Sequence, residues 1–140
     1  MGAGVALATV ERDCPEMQLS LGAVPDPIRA VPTSTGDFAW TAAFSALLVE
    51  KGGVGGRVFA VQAVLMEAGT GPRGVTDRQV SWVDVDLTRS RLPSGGRLAV
   101  PVLVHYTLPG GERQALVDVA AIVIGDDGYY YQTTRRFRIA

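Results

Sequence analysis

The sequence is poor in the side chains that carry most protein chemistry. One cysteine (Cys14), one histidine (His105) and one lysine (Lys51) occur among 140 residues. A lone cysteine excludes an intrachain disulfide, and with it a disulfide-stapled scaffold, though not export. His105 and Cys14 together fall short of the three or four ligands a zinc site needs. Charged residues make up 19% of the chain and the net charge is −1, which gives no electrostatic drive toward nucleic acid or an anionic membrane. No run approaches the ~20 apolar residues of a spanning helix. The opening "MGAGVALATVERD" has neither the basic start nor the long apolar stretch of a signal peptide. "ERDC" also lacks the small and apolar residues that precede a lipoprotein cysteine. Two locations are expected: secreted or cell-surface, with the leader outside this chain, or cytoplasmic.

What is abundant points to sheet. Hydrophobic residues make up 47% of the chain and glycine occurs 17 times. At this length one domain is expected, burying about two-thirds of its unfolded surface. Twelve of the 13 basic residues are arginine, a bias of GC-rich bacterial genomes. From Phe38 onward, apolar runs alternate with glycine-bearing breaks at strand spacing. The runs are "FAWTAAFSALLVE", "RVFAVQAVLMEA", "QVSWVDVDLT", "RLAVPVLVHYTL", "RQALVDVAAIVIG" and "YYYQTTRRFRI"; the breaks are "KGGVGG", "GTGPRG", "RLPSGG", "PGGE" and "DDG". Asp127-Gly128 reads as a two-residue type I′ hairpin turn. Period-two alternation puts Leu98, Val100, Val102, Val104 and Tyr106 on one face, and Ala115, Val117, Val119, Ala121 and Val123 on another. It sets Val83, Val85 and Leu87 opposite Trp82, Asp84 and Asp86. "WTAAFSALLVEK" is rich in helix formers, but its strand neighbours and the glycine turn that ends it resolve it to a strand.

Before Phe38, "EMQLSLG" reads as a first strand, and the prolines of "AVPDPIRAVPTSTGD" restrict that stretch to a connection or an edge. The expected organisation is a tail or edge strand over residues 1–15 and a β-sandwich over residues 16–140. The fold class is all-β: an antiparallel sandwich of about seven strands. At this point "FAWTAAFSALLVEKGGVGGRVFAVQAVLME" and "LPSGGRLAVPVLVHYTLPGGERQALVDVAAIVIGDDG" resemble the bacterial immunoglobulin-like modules of exported proteins. In those modules a tryptophan-bearing strand leads to an E-x-G-G-V-G turn, an L-x-x-G-x-x-L-x-V-P-V strand follows, and an Asp-Gly hairpin closes the domain. The resemblance covers residues 36–140. It implies an immunoglobulin-like fold, export, and a spacer, adhesive or accessory role without catalytic residues.

The glycine run Gly52–Gly56 does not fit a phosphate loop. Lys51 precedes the glycines, no Ser or Thr follows them, and a strand rather than a helix comes next. It reads as a β-hairpin turn, replaceable by a two-residue Asn-Gly turn. His105 lacks any nucleophile motif such as G-x-S-x-G and reads as a sheet-face histidine. Cys14, beside Asp13 and Glu16, has carboxylate neighbours that disfavour a thiolate, and reads as incidental. Asp126 and Asp127 lack EF-hand spacing. No cofactor and no metal is expected, and no enzymatic activity.

The candidate binding residues are in "YYYQTTRRFRI". Tyr129 and Tyr131 share one face; Tyr130, Arg136 and Arg138 share the other. Tyrosines beside arginines recognise sugars, peptides or anions by stacking and forked hydrogen bonds. They also suit an ordinary strand whose arginines guard an edge. Trp82, with Asp84 and Asp86, forms a second aromatic-polar face. The expected function is a non-enzymatic interaction or structural module of an exported or surface bacterial protein. Alternatives are a small carbohydrate-binding module and a cytosolic β-sandwich inhibitor or assembly subunit. The partner is a protein or a glycan, and self-association through an edge strand is open.

Overall fold

The structure, a computed structural model, describes residues 15–67 and 80–140. The expected tail or edge strand, Cys14 with it, and the "GTGPRG" break lie outside the described residues, apart from an exposed Pro15. The strands are β1 (Leu19–Val24), β2 (Ala30–Pro32), β3 (Trp40–Glu50), β4 (Gly56–Glu67), β5 (Val80–Val85), β6 (Arg91–Leu92), β7 (Arg97–Thr107), β8 (Ala115–Gly125) and β9 (Tyr130–Ile139). The segment read as ambiguous with helix, Trp40–Glu50, is a strand.

Two antiparallel sheets enclose one apolar core. One has the order β1-β3-β7-β5, with β2 also on β3; the other has the order β6-β4-β8-β9. The nine described strands exceed the seven expected because β2 and β6 are only three and two residues long. Such short segments carry no alternation for a sequence pattern to register. β2 lies in the proline-rich stretch and is an edge, pairing with β3 alone through Ala30↔Ala42 to Pro32↔Trp40. β6 is the "RL" of the "RLPSGG" break.

The alternation sets the core. Val100, Val102, Val104 and Tyr106 of β7 and Ala115, Val117, Val119, Ala121 and Val123 of β8 are all buried. Beside β7 in the same sheet, β3 adds Ala42, Phe44, Ala46 and Leu48. On edge strand β5, Val83 and Val85 pack against the core, as does Leu87 beyond it, while Trp82, Asp84 and Asp86 are exposed. Tyr106 is fully buried, and its hydroxyl donates to the Arg113 carbonyl oxygen, tying β7 to the loop before β8. Burial raises that hydroxyl's pKa to about 12, against the opposing charge of Arg113.

Two turn expectations need correction. The glycine run after β3 does not close a hairpin, because β3 and β4 belong to different sheets. It carries the chain from one sheet to the other, and it is built around Glu50, the last residue of β3. The Glu50 side chain is 1% exposed. Its carboxylate accepts N–H bonds from Gln18 (3.0 Å), Gly52 (2.6 Å), Gly53 (2.8 Å) and Gly95 (2.8 Å). Burial alone would raise its pKa, but these four donors outweigh burial and hold it at about 2. A Cβ on Gly52 would overlap the Glu16 carbonyl oxygen, so the loop requires glycine there. A two-residue turn would neither supply these donors nor span the two sheets.

The β8–β9 connection is a hairpin, as expected, but its loop has three residues rather than two. Gly125 N donates to Tyr129 O (2.8 Å) and Gly128 N to Gly125 O (2.9 Å). Only Gly128 has a positive φ, at 86°. This is a turn followed by one left-handed glycine, not the paired positive φ of type I′.

The segment between β1 and β2 makes a further tie. Ile28 forms a parallel bridge with Ile139 of β9, in the opposite sheet. Ile28 N donates to Arg138 O (3.0 Å), Ala140 N to Ile28 O (2.7 Å) and Ala30 N to Ala140 O (3.1 Å). Ile28 is fully buried, so the edges of both sheets are stitched together over it.

Candidate functional site: an aromatic and acidic cleft at one end

Three turns meet at one end of the sandwich: the crossing after β3, the turn between β6 and β7, and the β8–β9 hairpin. With the segment before β1 they enclose a cleft of about 880 Å³, lined by Glu16, Val54, Ser94, Asp126, Asp127, Tyr129, Tyr130 and Tyr131 among others. Gly55, which packs too close to Ser94 and Leu92 for a Cβ, and Gly53, at a positive φ, set one wall.

Each acid of the hairpin has a defined role. Asp126 accepts both nitrogens of the Arg91 guanidinium, at 2.7 and 2.6 Å, in a forked pair at the surface. That pair holds Asp126 below the usual carboxylate range. Asp127 accepts the Tyr129 N–H (3.1 Å) and the Tyr131 hydroxyl (2.5 Å). The hydrogen bond to Asp127 raises the pKa of the Tyr131 hydroxyl. Burial and the charges of Asp127 and Glu16 push the same way, against a bond from the Met17 N–H. Tyr131 is a wall of the cleft, half-buried and packed on the core. Tyr129 and Tyr130 are different: they are 70% and 72% exposed.

The six candidate residues fall in three places. Tyr129, Tyr130 and Tyr131 line the cleft. Arg136 and Arg138 share the outer sheet face with Tyr130, as the alternation requires. Six residues of strand, about 20 Å, separate Arg136 from Tyr130. Arg136 instead pairs with Asp118 (2.7 and 3.0 Å) and contacts Met66 Sδ at 3.6 Å. Trp82 lies on the other sheet, 62% exposed, opposite His105 in register. Asp84 and Asp86 line a shallower groove of about 450 Å³ there, over Ala43, Ser45, Pro101 and Leu103.

Sequence reasoning missed Phe59, Glu16 and Glu50 as parts of this end. Phe59 is 64% exposed, with its ring 6.5 Å from that of Tyr130. A bulge between Val58 and Ala60 breaks the strand's alternation, so Val58 and Val61 both point inward and Phe59 points out. Period two alone would put Phe59 on the inward face with Val61, Ala63 and Leu65, so nothing in the sequence signals its exposure.

Other chemistry is sparse. Thr41 Oγ1 lies 2.7 Å from His105 Nδ1, and the imidazole stacks on Phe38 at 5.7 Å. Among the described residues no carboxylate bonds that ring, so the pair lacks the orienting group of a nucleophile–base system. Among the described residues no group of three or more His, Cys, Asp or Glu side chains stands close enough to hold a metal ion. No helix among them is long and apolar enough to cross a membrane.

No protein-family model matches the chain, and no curated protein does. Among solved structures it is similar to the secreted serine protease VesC from Vibrio cholerae, at 12% identity and a TM-score of 0.46. That alignment takes in 89% of this chain and 23% of the protease.

Proposed function

We propose that this protein is a non-catalytic, immunoglobulin-like binding module of an exported or surface bacterial protein, and that the end cleft is its binding site. The order β1-β3-β7-β5 against β6-β4-β8-β9 supports the immunoglobulin-like reading. On that reading the first sheet stands for A-B-E-D and the second for C-F-G, with β6 as an added strand that follows β5 in the chain. Export rests on the sequence resemblance over residues 36–140. The observation that carries a binding role is the exposure of Tyr129 and Tyr130, above two-thirds each, at the mouth of a cleft with acid-lined walls. Large aromatics left in water at a concave site are typical of interaction surfaces, where they become the principal contacts.

The test is a peptide and glycan array probed with the parent protein and with Tyr130→Ala, beside a denaturation curve for each. Binding that is lost in a fully stable Tyr130→Ala supports the proposal. An array without hits, or hits that Tyr130→Ala leaves untouched, overturns it at this cleft. A second reading, a small carbohydrate-binding module, draws on Trp82, whose exposed ring and neighbouring Asp84 resemble a sugar-stacking platform. Glycan hits lost in Trp82→Ala would favour it.

A further inference from the structure

We propose that the end cleft takes a cationic segment, with a lysine or arginine side chain of a partner peptide set against Tyr129 and Tyr130 and beside the carboxylates of Glu16 and Asp127. This rests on the reading of the protein as a binding module and names the chemistry of its ligand.

Charge complementarity carries the inference. Three carboxylates line the cleft: Glu16, Asp126 and Asp127. Among the described residues one cation answers them, Arg91, and both of the nitrogens it directs there are taken by Asp126. Lys51 and Arg57, which flank the glycine run, are not among the lining residues. That leaves two negative charges, on Glu16 and Asp127, with no compensating cation among the described residues. Among the described residues no hydrogen bond or ion pair engages the Glu16 carboxylate. Asp127 accepts one bond on each oxygen, and each carboxylate oxygen takes two. Both acids keep acceptor capacity toward the cleft.

The tyrosines point to the same class of ligand. An ammonium or guanidinium is drawn to the face of an aromatic ring, and more strongly where carboxylates flank it. A cleft of about 880 Å³ holds more than one such side chain, so a basic segment fits better than a small amine. Neutral sugars also stack on tyrosine and donate hydroxyls to carboxylates, but they carry no positive charge to answer the two negative ones. An acidic ligand would be repelled.

The experiment uses isotope-labelled protein titrated with four probes: acetylated tetra-lysine amide, tetra-arginine amide, tetra-glutamate amide and chitotetraose. Amide shifts locate each probe, and calorimetry at about 20 and about 200 mM salt gives its affinity. The basic probes should move the amides of Glu16 and Tyr129–Tyr131, and should bind several-fold more weakly at the higher salt. Glu16→Gln and Tyr130→Ala should each weaken binding about 3- to 30-fold. Both residues are exposed, and a thermal melt confirms that the variants fold. Basic probes that leave these amides unmoved, or whose affinity neither variant changes, overturn the inference. Stronger binding of chitotetraose or tetra-glutamate at the same amides overturns the cationic class while leaving the binding-module reading standing. No binding by any probe, with no hits on the array, overturns both.

Discussion

Glu50 and Asp127 sit at the same end of the sandwich, and each accepts backbone N–H groups from a glycine-bearing turn. Their surroundings differ in one respect. Glu50 is 1% exposed and four N–H donors converge on it, so its bonding capacity is spent inside the protein. Asp127 is exposed, holds one N–H and one phenol, and looks onto the cleft. A buried carboxylate is tolerated only when fully bonded, and is then costly to remove. An exposed, half-engaged one adds little to stability and remains available to a ligand. The pair separates what holds this end together from what it presents.

Removing Glu50 should give the largest effect. Glu50→Ala leaves four part-buried N–H groups without their acceptor, and we expect a loss of about 3 kcal/mol or more in urea denaturation, a large share of a domain's usual stability. Asp127→Ala should cost about 1 kcal/mol, as for an exposed turn residue. Equal losses would remove the distinction. Replacing Lys51–Gly56 by an Asn-Gly turn should likewise prevent folding, which a soluble, cooperative variant would contradict.

Acid titration sharpens the same contrast. The folded pKa of Glu50 lies near 2, below its ordinary value of 4.5, so its contribution is complete above about 4.5 and is lost as pH falls toward 2. The shift corresponds to about 3 kcal/mol. Stability of the parent should fall across that window, and the decline should be smaller by about that amount in Glu50→Gln. A decline of the same size in both proteins would mean that Glu50 is not the group responsible.

Glycine substitutions separate close approach from backbone conformation. Gly52→Ala collides with the Glu16 backbone and should cost several kcal/mol. Gly128→Ala, at positive φ with open space around it, should cost about 1–2 kcal/mol. At the surface, Trp82→Ala and Tyr130→Ala should each change stability by less than about 1 kcal/mol, since both rings are mostly in water. A loss near 3 kcal/mol would show that the ring is packed after all. Smallest of all, EDTA or added calcium should leave the melting temperature unchanged, because among the described residues no three carboxylate, His or Cys side chains converge to hold an ion.

The long strands were legible because period-two alternation survives in them. The buried faces of β7 and β8 are those read from the sequence, Leu98 alone being half-buried. The sheet assignment was not legible. "KGGVGG" marks a turn, but whether a turn closes a hairpin or crosses between sheets depends on pairings dozens of residues away, such as β4 with β8. The cleft was read in part. The three tyrosines stood out as a run, while Glu16 and Arg91 come from distant segments that only the fold gathers at one end. Arg136 and Arg138 share a face with Tyr130 by alternation, and alternation says nothing of the distance along the strand.

The Ile28 stitch has a mechanical consequence. The segment around Ile28 and the end of β9 run parallel, so tension drawing the two chain ends apart pulls those segments in opposite directions along their common axis. The three hydrogen bonds between them then carry the load together, in shear, instead of parting one after another as a peeled hairpin does. Single-molecule extension of the parent should show a distinct rupture force. Ala30→Pro, which deletes the Ala30 donor, should lower it, and equal forces for the two proteins would place the load-bearing contact elsewhere.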